Sequence, residues 1–397
     1  MSLQHFLASK PLYYKEIDHR RVHTAYRRLK PHIRQPDTVH IVGTNGKGST
    51  GRMIAHLAWK QGIGHEESRA RSYAVGHYTS PHILTFNERI WLNGEEASDE
   101  VLEAAHRRLY GILGKEMCEA LSYFEYSTLL AFVVFEDCDL MVLEAGLGGE
   151  FDATNVCDKE LSVITPIGID HQVFLGETIE EIAATKIRSI QKQALLAPQV
   201  YDEVVEVAQN IAKDVGADLS VCPGVNTQVD PYELQKIVEA KGWPDYLLEN
   251  AAVAVQALVM LHINYQTEDL RSLELFGRFY ALTENIRIDV GHNPLAARAI
   301  ERALEGKVVL VYNTLDDKDY DEVLRILKPK VKRVEIIPID SPRAATLEQT
   351  REALEVTGLP YSMFQNRIER EENYLVFGSF YTVEAFLKQR KEHDVPK

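Results

Sequence analysis

The sequence predicts an α/β protein with two domains, each built on a sheet whose strands are mostly parallel. Short β-branched runs alternate with stretches of helical period along the chain. This alternation is typical of parallel sheets covered by helices. A length of 397 residues exceeds what one hydrophobic core usually holds, so a second domain is expected.

The first domain is predicted to contain strands at 38–43, 140–146 and 161–168, each a short apolar run that ends in glycine or polar residues. Two stretches, 129–135 and 247–261, are apolar on nearly all sides and are expected to form buried helices. The first strand leads into a glycine-rich turn, which is typical of a phosphate-loop (P-loop-type) ATPase domain.

The second domain repeats the pattern on a smaller scale and is expected to be a Rossmann-like α/β domain at the C-terminal end. Its strands are predicted at 286–290, 308–312, 334–337 and 374–377, and its helices at 296–304, 320–327 and 346–356. The stretch 263–279 lacks a clear period and is the expected hinge. The two domains are therefore expected to span 1–272 and 273–397.

Charge and composition exclude several classes of protein. Forty-four basic and 59 acidic side chains give a net charge of -15, so binding to nucleic acid or to an anionic membrane is not expected. No apolar stretch is long enough to span a bilayer, and the opening MSLQHFLASK has no signal-peptide core. The four cysteines show no metal-binding or paired spacing, which favours a cytoplasmic protein.

The segment HIVGTNGKGST (40–50) places a glycine-rich turn with one lysine between a strand and a helix, which surrounds phosphate with backbone N–H groups. Its glycines are closer together than in the strict G-x-x-x-x-G-K-[ST] pattern. We expect Lys47 to contact the β- and γ-phosphates and the Ser49 hydroxyl to reach Mg²⁺. The residues predicted to bind nucleotide are Gly43, Thr44, Asn45, Gly46, Lys47, Gly48 and Ser49.

Polar groups follow three further strands. Glu144 ends one strand, Asp170 and His171 follow the next, and Thr79-Ser80-Pro81-His82 follow the run that begins at Val75. Because ligands bind beyond the carboxyl ends of parallel strands, these groups are candidates for binding Mg²⁺ or phosphate. Each alone also has a structural explanation, such as a helix cap for Glu144 or a loop position for His171.

A lysine interrupts an apolar helical face in TIEEIAATKIRSI (178–190). Ile179, Ile182, Ile187 and neighbouring apolar residues share this face, and Lys186 falls within it. Either the lysine stem extends its charge to solvent, or the amine is desolvated and able to be modified or to act near a metal.

In the second domain, Arg278 follows the expected hinge, where domain closure could bring it over a phosphate. Asp289 and His292 lie between a predicted strand and a predicted helix.

Together these residues resemble the folylpolyglutamate synthase/dihydrofolate synthase family of the Mur ligase superfamily. The resemblance runs in order along most of the chain. It is carried by GTNGKGS (43–49), YTSPHILTFNERI (78–90), FEYSTLLAF (124–132), LEAGLGGEFDATN (143–155), ITPIGIDH (164–171), LGETIEEIAATK (175–186), ENAA (249–252), GRF (277–279), DVGHNP (289–294), LDDKD (315–319), SPRAA (341–345) and VFGSFY (376–381).

The resemblance implies an ATP-dependent ligase that adds L-glutamate to dihydropteroate, to reduced folates, or to both. ATP first phosphorylates the acceptor carboxylate, and the glutamate amine then attacks the acyl phosphate. Positioning and charge neutralisation dominate such chemistry. The resemblance also implies that the partners of the protein are small molecules and that its oligomeric state is a monomer.

The resemblance also implies roles for individual residues. One Mg²⁺ lies among Ser49, Ser80 and Glu144, and a second is shared by Glu144, His171 and a carbamylated Lys186. The implied catalytic residues are Lys47, Lys186, His171 and Arg278. Asn250, Arg278, Asp289 and His292 match positions that hold ATP. The loops that contact the folate include Thr79, Pro81, His82, Phe86, Arg89 and Asp152.

Four features depart from the family pattern. Glu150 replaces a frequent arginine, Phe276 replaces a proline, and Tyr246-Leu247 replace a frequent His-Gln. Residues 65–74 form an insertion, which we expect to be a surface loop at the sheet edge away from the site.

Other functions account for fewer of these sequence features. A cell-wall Mur ligase carries an N-terminal UDP-sugar domain, and the 42 residues before Gly43 are too few for one. A nucleotide-binding regulatory protein without ligase activity has no need of a second metal. If the protein were a phosphate-loop kinase, Arg278 and Asp289 in the C-terminal domain would have no role. Two alternatives stay open: a Mur-type ligase that acts on another acceptor carboxylate, and a nucleotide-binding regulatory protein without ligase activity.

Overall fold

The computed structural model describes residues 1–10, 18–61, 73–224 and 231–393, and confirms the predicted α/β class. The chain divides into two units that interleave along the sequence. The first comprises Met1–Gly168, Leu175–Ile237 and Glu249–Leu273, and the second comprises Ile169–Phe174, Val238–Leu248 and Glu274–Lys397. The division of roles between domains 1–272 and 273–397 stays a prediction.

The first unit is built on a mostly parallel sheet of eight described strands. They are β1 (Asp37–Val42), β2 (Val75–Tyr78), β3 (Ile90–Leu92), β4 (Glu95–Glu96), β5 (Leu140–Glu144), β6 (Leu161–Ile164), β7 (Gln193–Leu196) and β8 (Asp218–Val221). Their order is β4-β3-β2-β5-β1-β6-β7-β8, and pairing is antiparallel only for β2 with β3 and β3 with β4. β1 is central, so the loop after it lies in the middle of the carboxyl edge.

Helices accompany this sheet. Those that lie wholly in the first unit are α1 (Leu3–Ala8), α2 (His19–Leu29), α3 (Lys47–Lys60), α4 (Asp99–Ala120), α5 (Tyr123–Val134), α7 (Ile179–Ile187) and α8 (Asp202–Val215). α6 (Gln172–Leu175) belongs mostly to the second unit, and α9 (Pro231–Lys241) and α10 (Asp245–Met260) each contribute residues to both units. The nearly all-round burial of α5 agrees with its apolar sequence. Capping boxes fix the first turns of α5 and α7, through Ser122 with Glu125 and Thr178 with Glu181.

Two clusters of buried apolar side chains lie in the core of the described part of the first unit. One joins α1, α2, α4 and α5 to β2 and β5, and its largest side chains include Tyr126, Phe132 and Phe135. The other packs α7 and α8 against β6 and β7. Lys186 is on α7, whose apolar face belongs to this second cluster.

The second unit has a six-stranded sheet in the order β13-β12-β11-β14-β10-β9, in which only β9 and β10 pair antiparallel. Its strands are β9 (Tyr280–Thr283), β10 (Ile286–Ile288), β11 (Val308–Tyr312), β12 (Val331–Ile336), β13 (Tyr361–Met363) and β14 (Tyr374–Phe377). Its helices are α11 (Pro294–Ala303), α12 (Tyr320–Leu327), α13 (Leu347–Thr357) and α14 (Phe380–His393). The strands that sequence patterns did not predict include β8 and β13, which are short and partly exposed sheet edges.

Most of the predicted insertion, 65–72, lies outside the described residues. Among the helices that the structure does describe, none combines the length and apolar character needed to cross a membrane.

Gly76→Ala is expected to destabilise the protein by about 1–3 kcal/mol, because a methyl group at this position on β2 would stand 2.3 Å from the ring of the buried Phe135. Urea unfolding of both proteins measures the change. Gly111→Ala in α4 is the matched control, because its added methyl group meets open space. This control should be neutral or should stabilise by up to about 1 kcal/mol through helix propensity. Equal stability of Gly76→Ala and wild type would contradict the packing described for β2.

Candidate active site

The loop after β1 is a tight turn that tolerates no side chain at its first glycine. Gly43 has a φ of +148°, and a Cβ there would lie 2.0 Å from Thr165 Oγ1. The N–H groups of Thr44 and Asn45 donate to the carbonyl of Pro166 at 3.0 and 3.1 Å. These bonds fasten the loop to the segment that follows β6, which fixes its backbone without help from a ligand.

The start of α3 provides an anion-binding end. Gly46 precedes the helix in the left-handed conformation, and no side chain caps the helix there. The first N–H groups of a helix have no acceptor within the helix, and the helix dipole adds positive potential at this end. Lys47 lies beside them and donates through Nζ to the carbonyls of Gly43 and Thr44, both at 3.2 Å. The predicted strand–loop–helix arrangement is therefore present.

Asn250 on α10 packs against this loop. A Cβ on Gly46 would stand 2.7 Å from Asn250 Oδ1, so glycine is required for the close approach. Asn250 is 5% exposed, and its Nδ2 has no hydrogen-bond partner among the described residues. A buried amide donor without a partner is costly, and an acceptor on a bound nucleotide would satisfy it.

Glu144 lies at the end of β5, directly beside β1. The sheet register sets Glu144 opposite Ile41, two residues before Gly43. The carboxylate is buried and accepts hydrogen bonds from the Thr79 hydroxyl and from the backbone N–H of Ser80 at 3.2 Å. The predicted Mg²⁺ ligands Ser49, Ser80 and Glu144 offer two hydroxyls and a carboxylate, a set of hard oxygen donors that fits Mg²⁺.

Lys186 is buried, as its place in an apolar stripe suggested, and it does not extend to solvent. Its side chain is 4% exposed, and Nζ donates to the carbonyl of Gly43 at 3.0 Å. The amine therefore reaches the phosphate loop itself. An ammonium group is not a metal ligand, so a role in metal binding requires its chemical modification.

The residues expected to contact the folate form two groups in the first unit. In the first group, Arg89 Nε donates to His82 Nδ1 at 2.8 Å, and the guanidinium lies 5.1 Å from the ring centre of Tyr123. Phe86 contacts the rings of both His82 and Tyr123. Burial, followed by the charge of Arg89, lowers the pKa of His82 to about 4. The neutral imidazole of His82, the aromatic rings and the buried guanidinium of Arg89 together form a surface that suits a flat heterocycle. Pro81, which is joined to Ser80 by a cis peptide bond, is exposed to solvent.

The second group is a buried hydrogen-bond chain that begins at Asp152. Thr154 Oγ1 donates to Asp152 Oδ1 at 2.6 Å, so the oxygen of Thr154 must accept from His40 Nε2, 2.8 Å away. His40 therefore carries its proton on Nε2, and its buried Nδ1 has no partner among the described residues. Burial, followed by the charge of Lys159, lowers the pKa of His40 well below its ordinary value.

In the second unit, a buried carboxylate gathers three cationic or basic groups. Asp170 accepts a hydrogen bond from Lys318 Nζ at 2.7 Å, and the Nε2 atoms of His171 and His292 lie 3.9 and 3.7 Å from its oxygens. Burial alone would raise the pKa of Asp170, but the neighbouring His171, His292 and Lys318 hold it well below its usual range. Lys318 also donates to His171 Nε2 at 3.3 Å. Sequence reasoning singled out the two histidines but missed Lys318, although the motif LDDKD carries it.

Asp289 organises a second turn of this unit. It accepts from the N–H groups of Phe279 and Gly291 at 2.8 and 2.7 Å, and from the hydroxyl of Tyr246 at 2.9 Å. Burial raises the pKa of Asp289, and the nearby Arg278 opposes this. Arg278 stacks over the ring of Phe380 at 5.2 Å. Tyr246, a departure from the family pattern, is thus the side-chain partner of a predicted nucleotide-binding residue.

The predicted site residues therefore fall into groups by unit. The phosphate loop, Glu144, Lys186, Asn250 and the residues expected to contact the folate belong to the first unit, and His171, Arg278, Asp289 and His292 belong to the second. Among the described residues, no group of three or more histidine, cysteine, aspartate or glutamate side chains is arranged to hold a metal ion. The predicted metal ligands rely instead on hydroxyls and on Lys186.

The fold and the loop define the class of protein: a phosphate-loop α/β protein equipped to hold a nucleoside triphosphate. No family model matches the chain. The chain is 32% identical to the dihydrofolate synthase/folylpolyglutamate synthase of Escherichia coli (strain K12), over 89% of this chain and 86% of that protein. The chain belongs to the dihydrofolate synthase/folylpolyglutamate synthase family, and the resemblance found in the sequence is confirmed.

Solved structures of this family are similar to the chain over nearly its whole length. The folylpolyglutamate synthetase of Helicobacter pylori is 40% identical, with a TM-score of 0.77 and 98% of each chain covered. The bifunctional folylpolyglutamate synthase/dihydrofolate synthase of Yersinia pestis, complexed with AMPPNP and a Mn ion, is 25% identical. Its TM-score is 0.79, and the match covers 98% of this chain and 97% of that one.

His40→Gln is expected to make stability less sensitive to acid. An unfolded histidine takes up a proton near pH 6.5, whereas His40 in the folded protein does so only at a much lower pH. Below about pH 6.5 the unfolded state thus binds more protons, and the free energy of unfolding falls by up to about 1.4 kcal/mol per pH unit. Urea unfolding between pH 7.5 and 5 should show a shallower fall for His40→Gln. The control His32→Gln, at an exposed position, should keep the wild-type slope. Identical slopes for wild type and His40→Gln would contradict a buried neutral imidazole.

Proposed function

We propose that this protein is an ATP-dependent ligase that joins L-glutamate to dihydropteroate and to reduced folates, and so acts as both dihydrofolate synthase and folylpolyglutamate synthase. The observation that carries the proposal is the phosphate loop, whose Gly43 carbonyl accepts from both Lys47 and Lys186. Lys47 provides a cation for the phosphates of ATP, and Lys186 stands on the same loop carbonyl, where its carbamylated form would hold a metal ion. The names of the relatives supply the reaction and its substrates.

ATP is proposed to bind with its phosphates on the loop 43–49 and the first turn of α3. The unpartnered Nδ2 of Asn250 supports a nucleotide contact beside Gly46. In the second unit, Arg278, Asp289 and His292 are proposed to hold the remainder of the nucleotide. Asp289 acts there by holding its turn, because its oxygens are occupied by backbone N–H groups and by Tyr246.

Two Mg²⁺ sites are proposed. The Mn ion in the Yersinia pestis complex supports the presence of a divalent metal. Ser49, Ser80 and Glu144 would hold the first, and Glu144, His171 and a carbamylated Lys186 would hold the second. Carbamylation joins the neutral amine of Lys186 to CO₂ and turns a buried cation into a carboxylate-like oxygen donor. The bound metal supplies neutralisation of the charge on the transferred phosphoryl group.

The reaction is proposed to run in two steps. A carboxylate oxygen of the acceptor attacks the γ-phosphorus of ATP, and ADP leaves. The amine of L-glutamate then attacks the carbonyl carbon of the acyl phosphate, and inorganic phosphate leaves as the amide forms. Lys47 holds the charge that develops on the γ-phosphoryl oxygens, and the rigid loop keeps acceptor and phosphate in line.

The acceptor is proposed to bind in the first unit, on Thr79, Pro81, His82, Phe86, Arg89 and Asp152. The ring of a pterin stacks on aromatic surfaces, and its amino and amide groups match a carboxylate such as Asp152. The chain Asp152–Thr154–His40 orients that carboxylate. Glu150 adds a negative charge beside this region and accepts from Arg188 at 3.3 Å.

The protein is also proposed to be a cytoplasmic monomer whose partners are small molecules. The acidic composition supports the absence of nucleic-acid partners, because a net charge of -15 disfavours polyanions.

The test of function is phosphate release from ATP with purified protein, Mg²⁺ and L-glutamate, with either dihydropteroate or tetrahydrofolate as acceptor. The proposal predicts release with both acceptors. Release with dihydropteroate alone would restrict the protein to the first addition. If neither acceptor causes phosphate release, the proposed function is rejected. If the protein still binds ATP in that case, a regulatory protein is favoured.

Lys47→Ala is expected to lower turnover in this assay by roughly 10²–10³-fold, because the γ-phosphoryl charge loses its nearest cation. Circular dichroism and urea unfolding should match wild type, since Lys47 is partly exposed on the loop. Near-normal turnover of Lys47→Ala would reject the site.

Lys186→Ala is expected to abolish turnover, and added acetate or formate should restore part of it, because a short carboxylate can replace the carbamate. The control Lys192→Ala, which removes an exposed lysine paired with Glu160, should be unaffected. Wild-type activity of Lys186→Ala without rescue would assign the lysine a structural role.

A further inference from the structure

One segment of this acidic protein is strongly basic. Residues 19–36 contain no aspartate or glutamate. The segment does contain six lysine or arginine residues, namely Arg20, Arg21, Arg27, Arg28, Lys30 and Arg34. Much of this segment is α2, so the helix carries a local positive field on a chain whose net charge is -15.

Three of these basic residues and one histidine lie on one exposed face of α2 and its extension, which we call the basic stripe: Arg20, His23, Arg27 and Lys30. Their spacing of three, four and three residues follows the helical period. The opposite face, with Val22, Ala25 and Leu29, is buried in the core. The stripe is thus held by packing on a rigid element and faces solvent.

The basic stripe lines an open cavity of about 510 Å³, which Tyr26 and Val156 also line. Val156 ends the short 3₁₀ turn Ala153–Val156, which begins directly after Asp152. The cavity therefore adjoins the loop proposed to contact the folate, and the basic side chains surround a concave surface.

Within the part of the chain that the structure describes, few acidic groups compete for the stripe. Lys30 pairs with Asp158 at 3.2 Å, but both side chains are more than half exposed, so this pair is readily exchanged. Asp18 caps α2 by accepting from the backbone N–H of Arg20, and Arg27 donates to the Thr24 hydroxyl at 3.2 Å. The cations are left available to a polyanion.

The basic stripe runs along the side of the first unit. Arg21, beside Arg20, pairs with Glu125 in the first turn of α5, a helix that precedes β5 and so begins near the carboxyl edge of the sheet. Lys30 pairs with Asp158, which precedes β6 and lies near the amino edge. From Arg20 to Lys30 the helical rise gives about 15 Å.

We infer that the basic stripe binds the γ-glutamate tail of polyglutamylated folates, an inference that rests on the proposed function. Only the last glutamate of such an acceptor reacts, and every earlier one carries an α-carboxylate that must be accommodated. A γ-linked residue has five backbone atoms in place of three, so it spans roughly 6 Å when extended. The stripe can therefore pair with two to three glutamates, and it makes longer acceptors better substrates.

The test compares the KM of three acceptors for wild type and for the variant Arg20→Gln/Arg27→Gln/Lys30→Gln, whose glutamines preserve helix propensity. The acceptors are dihydropteroate, tetrahydrofolate with one glutamate, and tetrahydrofolate with four. The KM of the tetraglutamate should rise about tenfold, as expected for a few exposed ion pairs. The KM of dihydropteroate and all values of kcat should stay within twofold of wild type. Higher salt should raise the wild-type KM for the tetraglutamate and should affect the variant less.

The control variant Arg28→Gln/Lys115→Gln/Lys213→Gln removes the same charge from exposed positions of the same unit outside the cavity. It should behave as wild type with all three acceptors. An equal change of KM for all acceptors, an unchanged KM for the tetraglutamate, or an equal effect of the control variant would each overturn the inference.

A binding measurement separates this inference from the proposed function. Fluorescently labelled tetra-γ-glutamate without a pteroyl group should bind wild type more tightly than the stripe variant, whether or not ligase activity is found. Equal binding to both proteins would overturn the inference while leaving ligase activity intact. Stripe-dependent binding of an RNA oligonucleotide, with no such dependence for tetra-γ-glutamate, would also overturn it.

Discussion

The carbonyl oxygen of Gly43 is the point on which the site of the first unit depends. It accepts hydrogen bonds from Lys47 at 3.2 Å and from the buried Lys186 at 3.0 Å. This geometry requires the glycine, because any side chain would collide with Thr165. β1 and β5 then bring Glu144 alongside, so that two lysines and one buried carboxylate surround a loop whose helix end favours anions.

Electrostatic complementarity is local in this protein. The overall charge is -15, which repels ATP, folates and polyglutamates alike. Attraction therefore comes from small sets of groups held by rigid elements, such as the helix end at α3 and the basic stripe on α2. Buried charges are likewise compensated locally, as Asp170 is by Lys318 and two histidines.

Much of the fold followed from sequence pattern, because buried strands and amphipathic helices have different periods. The phosphate loop was predictable because strand, glycines, lysine and helix are consecutive in sequence. The contacts that complete each group were not, since they join distant positions: His40 and Thr154 are 114 residues apart, and Asp170 and Lys318 are 148 apart. A histidine inside a β-branched run was the available signal for the first pair, and the lysine of LDDKD for the second. The basic stripe was overlooked because the net charge of the whole chain conceals the charge of one helix.

In the proposed reaction, ATP phosphorylates the acceptor carboxylate before the amine of L-glutamate attacks its carbonyl carbon. The most direct measurement uses dihydropteroate labelled with ¹⁸O in its carboxyl group and follows the label during turnover with ATP and L-glutamate. Passage through an acyl phosphate transfers one labelled oxygen to inorganic phosphate for each amide formed, and this is the result expected. Amide formation with unlabelled phosphate would contradict the account.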